Sequence, residues 1–182
     1  MKTIQAPVIQ EEIQTLHAGD VIYLSGTIFT GRDAAHKRLL QFLKEGLPLP
    51  INLTNQVIYY VGPCPAKEGQ VIGSCGPTTS GRVDVYTPTL LDLGLKAMIG
   101  KGQRCAEVIT AIVRNKAIYL AATGGAGALI AQCVTKAEVV AFADLGTEAI
   151  HKLEIKNMPL IVAIDSKGNN LYAIGPQQYR QR

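Results

Sequence analysis

Tryptophan is absent from this 182-residue chain, and aromatic residues of all kinds make up only 5% of it. So sparse a complement leaves no stacking platform for nucleobases. Lysine and arginine never gather into a run, and a formal charge of +4 is small for a phosphate-tracking surface. Nucleic acid is therefore not an expected partner. No apolar stretch approaches the roughly 20 residues of a membrane span. The first twenty residues are polar and mixed in charge, without the basic start and apolar stretch of a signal peptide. A cytoplasmic protein with no membrane attachment is the expectation. The four cysteines, at 64, 75, 105 and 133, form no CxxC pair. A metal or cluster site within the chain would need distant loops to converge, and small thiols in the core or in loops are the plainer reading. Charge is scarce as well, at 18% against about a quarter in an ordinary soluble domain. That deficit fits surface buried against a partner, and equally a compact glycine-rich α/β domain.

Hydrophobic residues, by contrast, reach 47%, in a length that suits one domain over residues 1–182. No internal repeat divides it. Val21–Ser25, Val57–Val61, Leu95–Ile99, Ala117–Ala121 and Val139–Phe142 are short apolar runs that predict strands, and Val71-Ile72 begins another. Ala149–Ile155 and Leu160–Asp165 extend the list, the latter paired with Asn170–Ile174 across the hairpin signal Ser166-Lys167-Gly168-Asn169. Helices are expected from Asp33, as cap, to about Lys44, with Gly46 and Pro48 beyond it, and from Thr87-Pro88 to Gly94. Gln103–Asn115 and Gly124–Gln132 add two more. The alternation predicts an α/β fold, with a mixed sheet and flanking helices.

Three stretches carry candidate chemistry. Thr30-Gly31-Arg32-Asp33-Ala34-Ala35-His36-Lys37 joins a strand to a helix start, where free backbone N–H groups favour an anion. Arg32 would add a planar fork for a carboxylate, and His36, in the first helical turn, could face the same cavity. A surface arginine beside an ordinary helix start accounts for the same residues. In Gly76–Asp84, glycines and a proline shape a long loop bearing Thr78, Thr79, Ser80 and Arg82, with no acid before Asp84. Glycine admits close approach of backbone to a ligand, so a binding loop is favoured over a plain turn. In Met98–Arg104 a strand runs out into Gly100-Lys101-Gly102, placing Lys101 toward a ligand or toward water. Gly124-Gly125-Ala126-Gly127 lacks a dinucleotide fingerprint because Ile130 stands at the third glycine position, so close helix–strand packing is expected there. His17 and His151 read as isolated surface or sheet residues.

Taken together, the motifs resemble one family. Ser25-Gly26-Thr27 with Gly31–Lys37, then Gly76–Arg82 with Asp84 and Tyr86-Thr87-Pro88, are similar to two motifs of the C-terminal domain, or beta subunit, of class I fumarases and of L-tartrate dehydratase. Gly94-Leu95-Lys96, Met98–Gly102, Gly124-Gly125, Glu138–Val140, Glu148–Ile150 and Asp165–Asn169 continue the likeness, which spans roughly residues 20–172. The resemblance implies a swivelling β/β/α domain and reversible hydration of a dicarboxylate such as fumarate, giving S-malate. It implies substrate contacts from Arg32, Arg82 and Lys101, a proton-handling role for Thr78, and a histidine sometimes counted as active at His36. It also implies a four-iron–four-sulfur cluster bound by a partner alpha subunit and not by this chain, in a heteromer expected to be alpha2beta2. No metal ligand is assigned here. L-tartrate dehydratase is the nearest alternative. A non-catalytic module that binds a small diacid or scaffolds a partner is a further one.

Overall fold

A computed structural model of the protein describes residues 2–180. The elements, in chain order, are β1 (Lys2–Ala6), α1 (Gln10–Gln14), β2 (Val21–Thr30), α2 (Asp33–Lys44) and β3 (Val57–Tyr59). A 3-10 turn at Ser80–Val83 comes next, then α3 (Thr87–Asp92), β4 (Ala97–Gly100), α4 (Ala106–Asn115), β5 (Ile118–Ala121) and α5 (Gly127–Gln132). The chain ends with β6 (Val134–Ala141), a second 3-10 turn at Ala143–Glu148, β7 (Ile150–Ile164) and α6 (Leu171–Tyr179).

The seven strands form one mixed sheet in the order β1-β2-β3-β4-β5-β7-β6, with a further pairing of β2 to β7. That extra pairing closes β2, β3, β4, β5 and β7 into a five-stranded ring. Strands β2 to β5 run parallel, and β7 returns antiparallel to both β5 and β2. Alternate side chains fill the ring: Val57 and Tyr59 from β3, Ile99 from β4, Leu120 from β5, Leu160 and Val162 from β7. The outward set, Ile58, Met98 and Tyr119, packs under Leu39 of α2, Leu90 of α3 and Ile112 of α4. Both faces of the parallel strands are thus covered, which is why they read as unbroken apolar runs instead of alternating ones. The expected α/β class with a mixed sheet and flanking helices is what the chain adopts.

Several local expectations need correction. Val71-Ile72 starts no strand. The segment stays a loop, with Gly73 N–H bonded to the Cys64 carbonyl at 3.1 Å, and Ile72 is buried as a plug. Asn170–Ile174 is not the second arm of a hairpin. The turn forms around Asp165, but after one bridge from Ile164 to Asn170 the Asn170 side chain accepts from the Tyr172 N–H and starts α6. Asp33 is the first helical residue of α2 and not its cap, which is Arg32. The two strands expected within residues 149–165 are the single strand β7, whose irregular point is Asn157 at φ 52. The Asn157 N–H is bonded to Ser25 Oγ, so the partner strand absorbs the break. Both β1 and α1 lie in the polar N-terminal stretch, for which no element was expected. No helix among the described residues is long and apolar enough to cross a membrane.

Candidate functional site

Strands β2 to β5 point the same way, so their carboxyl ends emerge side by side, where open α/β sheets commonly place ligands. Arg32 comes after β2, Tyr60 to Gly62 after β3, Lys101 after β4, and Thr123-Gly124 after β5. The Gly76–Arg82 loop is drawn onto the same rim. Thr78 N–H and Oγ both donate to the Tyr60 carbonyl, at 2.8 and 2.9 Å. Thr79 bridges to Lys101, Lys101 N–H bonds to the Thr78 carbonyl at 3.3 Å, and Ser80 N–H bonds to the Lys101 carbonyl at 2.9 Å. Thr78 and Lys101 are thereby neighbours although 23 positions separate them in the sequence. The Lys101 side chain extends beside Gly124, where an added methyl would sit 3.8 Å from its Nζ.

Arg32 lies across the chain leaving β3. A methyl added at Gly62 would meet its Cδ at 2.8 Å and its Nη1 at 2.9 Å, so only glycine leaves room for the guanidinium there. Nη2 stands 3.6 Å from Glu148, whose other oxygen accepts the Ala34 N–H at 2.9 Å. At that distance the pair is loose and partly exposed, and Nε, though buried, has no partner among the described residues. Arg82, on the 3-10 turn after Thr78, is exposed. Among the described residues neither Arg82 nor Lys101 is salt-bridged to a carboxylate. Arg32 thus has Glu148 beside it, while Lys101 and the exposed Arg82 have no ion-pair partner among the described residues.

His36 sits differently. Its ring is wholly buried, edge-on to Tyr60 with centroids 5.3 Å apart. Nδ1 is 2.8 Å from the Arg32 carbonyl, which can only accept, so Nδ1 carries the proton and Nε2 holds a lone pair with no partner. Burial pushes the imidazole down to about 4, outweighing the Arg32 carbonyl that favours its charged form. His36 is thus neutral at pH 7 and lies behind the rim, bonded to the Arg32 backbone and packed on the Tyr60 ring. The unfolded chain would bind a proton near 6.5 and the folded chain only near 4. This contribution to stability is complete above pH 6.5 and lost as pH falls toward 4, to a limit of about 3 kcal/mol. Urea midpoints at pH 7.5 and 4.5 should therefore differ more for the wild type than for His36→Gln. Equal differences would contradict a buried, neutral His36.

Arg104, although part of the third candidate stretch, is internal. Nε donates to Asp84 at 2.6 Å and Nη2 to Thr87 at 2.8 Å, while the guanidinium lies over the Tyr60 and Tyr119 rings. Asp84 also accepts the Cys105 N–H at 2.7 Å, tying the loop to the start of α4. Glu148 was part of the family likeness but carried no role there. No local signal marks it as the acid beside Arg32, because it arrives from 116 residues away.

An apolar groove of about 360 Å³, lined by Pro63, Val71, Ile72, Val139 and His151 among others, contains none of Arg32, Thr78, Arg82 or Lys101. Thr78 and Lys101 lie outside that groove, at the ends of β3 and β4. Among the described residues no three His, Cys, Asp or Glu side chains converge as metal ligands. Cys75 is buried and its thiol is pushed up to about 11 by that burial, whereas Cys64 and Cys105 are exposed.

Comparison with known proteins gives a consistent picture. The family described as Fumarase C-terminus matches residues 2–175. A protein of Methanocaldococcus jannaschii, provisionally named as an L(+)-tartrate dehydratase subunit beta, is 39% identical over 169 residues, covering 90% of this chain and 87% of that one. The aerobic class I fumarate hydratase of Escherichia coli K12 is 38% identical over 174 residues, 94% of this chain but 31% of the enzyme. Fumarate hydratase 2 of Leishmania major is 33% identical over 91% of this chain and 29% of its own length. The chain thus spans most of the first relative and under a third of the other two.

Proposed function

The chain belongs to the Fumarase C-terminus family, and from that premise we propose that it is the beta subunit of an iron–sulfur hydro-lyase that reversibly hydrates fumarate to S-malate. The observation that carries this reading is that the Thr78 loop is bound to the ends of β3 and β4 beside Lys101, with Arg32 and Glu148 at the neighbouring end of β2 and Arg82 on the turn that follows Thr78. A dianion in a closed cleft needs several cations, since an unpaired buried charge is expensive. Two arginines and a lysine can meet both carboxylates, Arg32 through the outer nitrogens of its guanidinium.

Removing a proton beside a carboxylate builds negative charge on that carboxylate, and fixed cations favour this. Thr78 is the proposed proton carrier. Its hydroxyl spends its own proton on the Tyr60 carbonyl and so presents lone pairs outward. Threonine is a weak base, and no carboxylate or imidazole among the described residues bonds to this hydroxyl, so its activator belongs to the partner. His36, as a neutral group behind Arg32, supports the arginine's backbone.

The alpha partner is inferred from the subunit name of the Methanocaldococcus relative. We assign the four-iron–four-sulfur cluster to that alpha subunit because this chain's described residues do not fit it, and the proposed assembly is alpha2beta2. When bound, such a cluster supplies Lewis-acid polarisation of the departing hydroxyl. The isolated chain, reconstituted anaerobically with iron and sulfide, should stay colourless and inactive, while the complex should turn over fumarate and malate. Stoichiometric cluster on this chain alone would overturn the subunit reading. Turnover of L-tartrate in place of fumarate would move the assignment to L-tartrate dehydratase. No turnover of any of the three would leave a diacid-binding or scaffolding module.

A further inference from the structure

One phenol joins the two pieces of backbone that carry Thr78 and Lys101. Tyr119, on β5, is fully buried, and burial keeps its hydroxyl protonated by pushing its titration well above the ordinary phenol range. That hydroxyl lies 2.9 Å from the Gly102 carbonyl and 2.8 Å from Ser80 Oγ. A carbonyl can only accept, so the single phenol proton goes to Gly102, and Ser80 must donate its own proton to Tyr119. The result is a directed chain from Ser80 through Tyr119 to Gly102. Ser80 is two residues from both Thr78 and Arg82, and Gly102 adjoins Lys101. The far side of the turn is held by Tyr172 of α6, whose hydroxyl accepts the Gly102 N–H at 3.0 Å. Ser80 is also pressed against the turn itself, since a methyl added at Gly100 would overlap its Oγ. From below, the Arg104 guanidinium sits 4.9 Å from the Tyr119 ring centroid and fixes the ring.

We infer that Tyr119 is a positioning residue, whose hydroxyl sets the Thr78–Arg82 loop in register with the Gly100–Gly102 turn so that Thr78 and Lys101 address one substrate. This rests on the hydro-lyase reading above for its kinetic consequence and on the hydrogen-bond geometry for its structural one. Tyr119→Phe keeps the ring under Arg104 and removes only the link. A misplacement of the order of 1 Å can cost about 100-fold, so kcat in the complex should fall about 10- to 100-fold with fumarate. Ser80→Ala should fall likewise, and the double variant should lose no more than the worse single one, because both cut the same chain. A purely stabilising role would lower the melting temperature and leave kcat per folded complex unchanged. Amide exchange of the full chain supplies the second readout. In Tyr119→Phe, exchange should quicken at Ser80, Lys101 and Gly102 while the amides of β2 and β7 stay protected. If the wild-type complex turns over none of fumarate, malate and tartrate, the hydro-lyase reading fails and the exchange pattern alone judges the positioning role. A Tyr119→Phe complex within threefold of wild type in kcat, additive losses in the double variant, or unchanged exchange at those three amides would each overturn it.

Discussion

Thr78→Val is expected to lower kcat of the assembled enzyme by about 10²–10⁴, the usual worth of a positioned acid or base, while Thr78→Ser keeps measurable turnover. Valine preserves the branched shape of threonine and deletes the hydroxyl. The fold tolerates this change, because the Tyr60 carbonyl that loses Thr78 Oγ still receives the Thr78 N–H at 2.8 Å. One neutral hydrogen bond is worth about 1 kcal/mol, too little to unfold the loop. Serine keeps the hydroxyl and loses a methyl, so its side chain is freer at χ1 and less often aimed correctly. Substrate affinity should move little in either variant, since Arg32, Arg82 and Lys101 remain. If Thr78 only shapes the loop, valine becomes the milder change and the order reverses. The deciding quantity is kcat of both variants at equal cluster content. A valine variant within threefold of wild type would end the proton-carrier role.

Replacing Arg82 with alanine should reduce kcat/KM by about 30- to 1,000-fold, equivalent to about 2–4 kcal/mol for a lost charged hydrogen bond. The exposed side chain has no ion-pair partner among the described residues, so its loss should leave stability within about 0.5 kcal/mol. Arg82→Lys should recover part of the loss, because it restores the charge and not the bidentate fork. Arg104 provides the internal control, since Arg104→Ala removes a buried partner of Asp84 and Thr87 and should act on stability first. The test is steady-state kinetics beside a melting curve for each variant. A loss of less than threefold with Arg82→Ala would remove that residue from the site.

The amino-acid order made the extent of α2 legible to within a residue, because Gly46 and Pro48 stop it, although its cap is Arg32 and not Asp33. It made β3, β4 and β5 legible to within a few residues for the opposite reason, since strands covered on both faces leave unbroken apolar runs. Val71-Ile72 looks the same in sequence, yet its neighbours Gly69 and Gly73 hold it in a loop, where Ile72 fills a gap with no strand beside it. The C-terminal stretch misled in another way. Asp165–Asn169 does make the expected turn, but the element after it is decided by Asn170, which caps a helix instead of continuing a ladder. At the level of sequence those two uses of an asparagine compete evenly. At the site, the cations and Thr78 stood out because each sits in or beside a glycine-containing loop. Glu148, Gly62 and Tyr119 did not, because their importance comes from contacts with residues 17 to 116 positions away. His36 was visible as a histidine at a helix start, but its burial behind Arg32 comes from how α2 docks on Tyr60 and Tyr86.

The pairing of β2 with β7 also governs how the chain can be made. Val21 meets Ile161 and Phe29 meets Lys152, so the contact that shuts the ring joins segments well over a hundred residues apart. Contacts of that range are slow to form, since so much chain must be restrained at once. During synthesis, β2 through β5 emerge with the edges of β2 and β5 that await β7 unpaired, and those edges stay open until residues near 160 have left the ribosome. Until then the nascent chain presents two templates for a foreign strand. Folding yield, more than the stability of the finished domain, is therefore where damage to Ile150–Ile164 should be felt first.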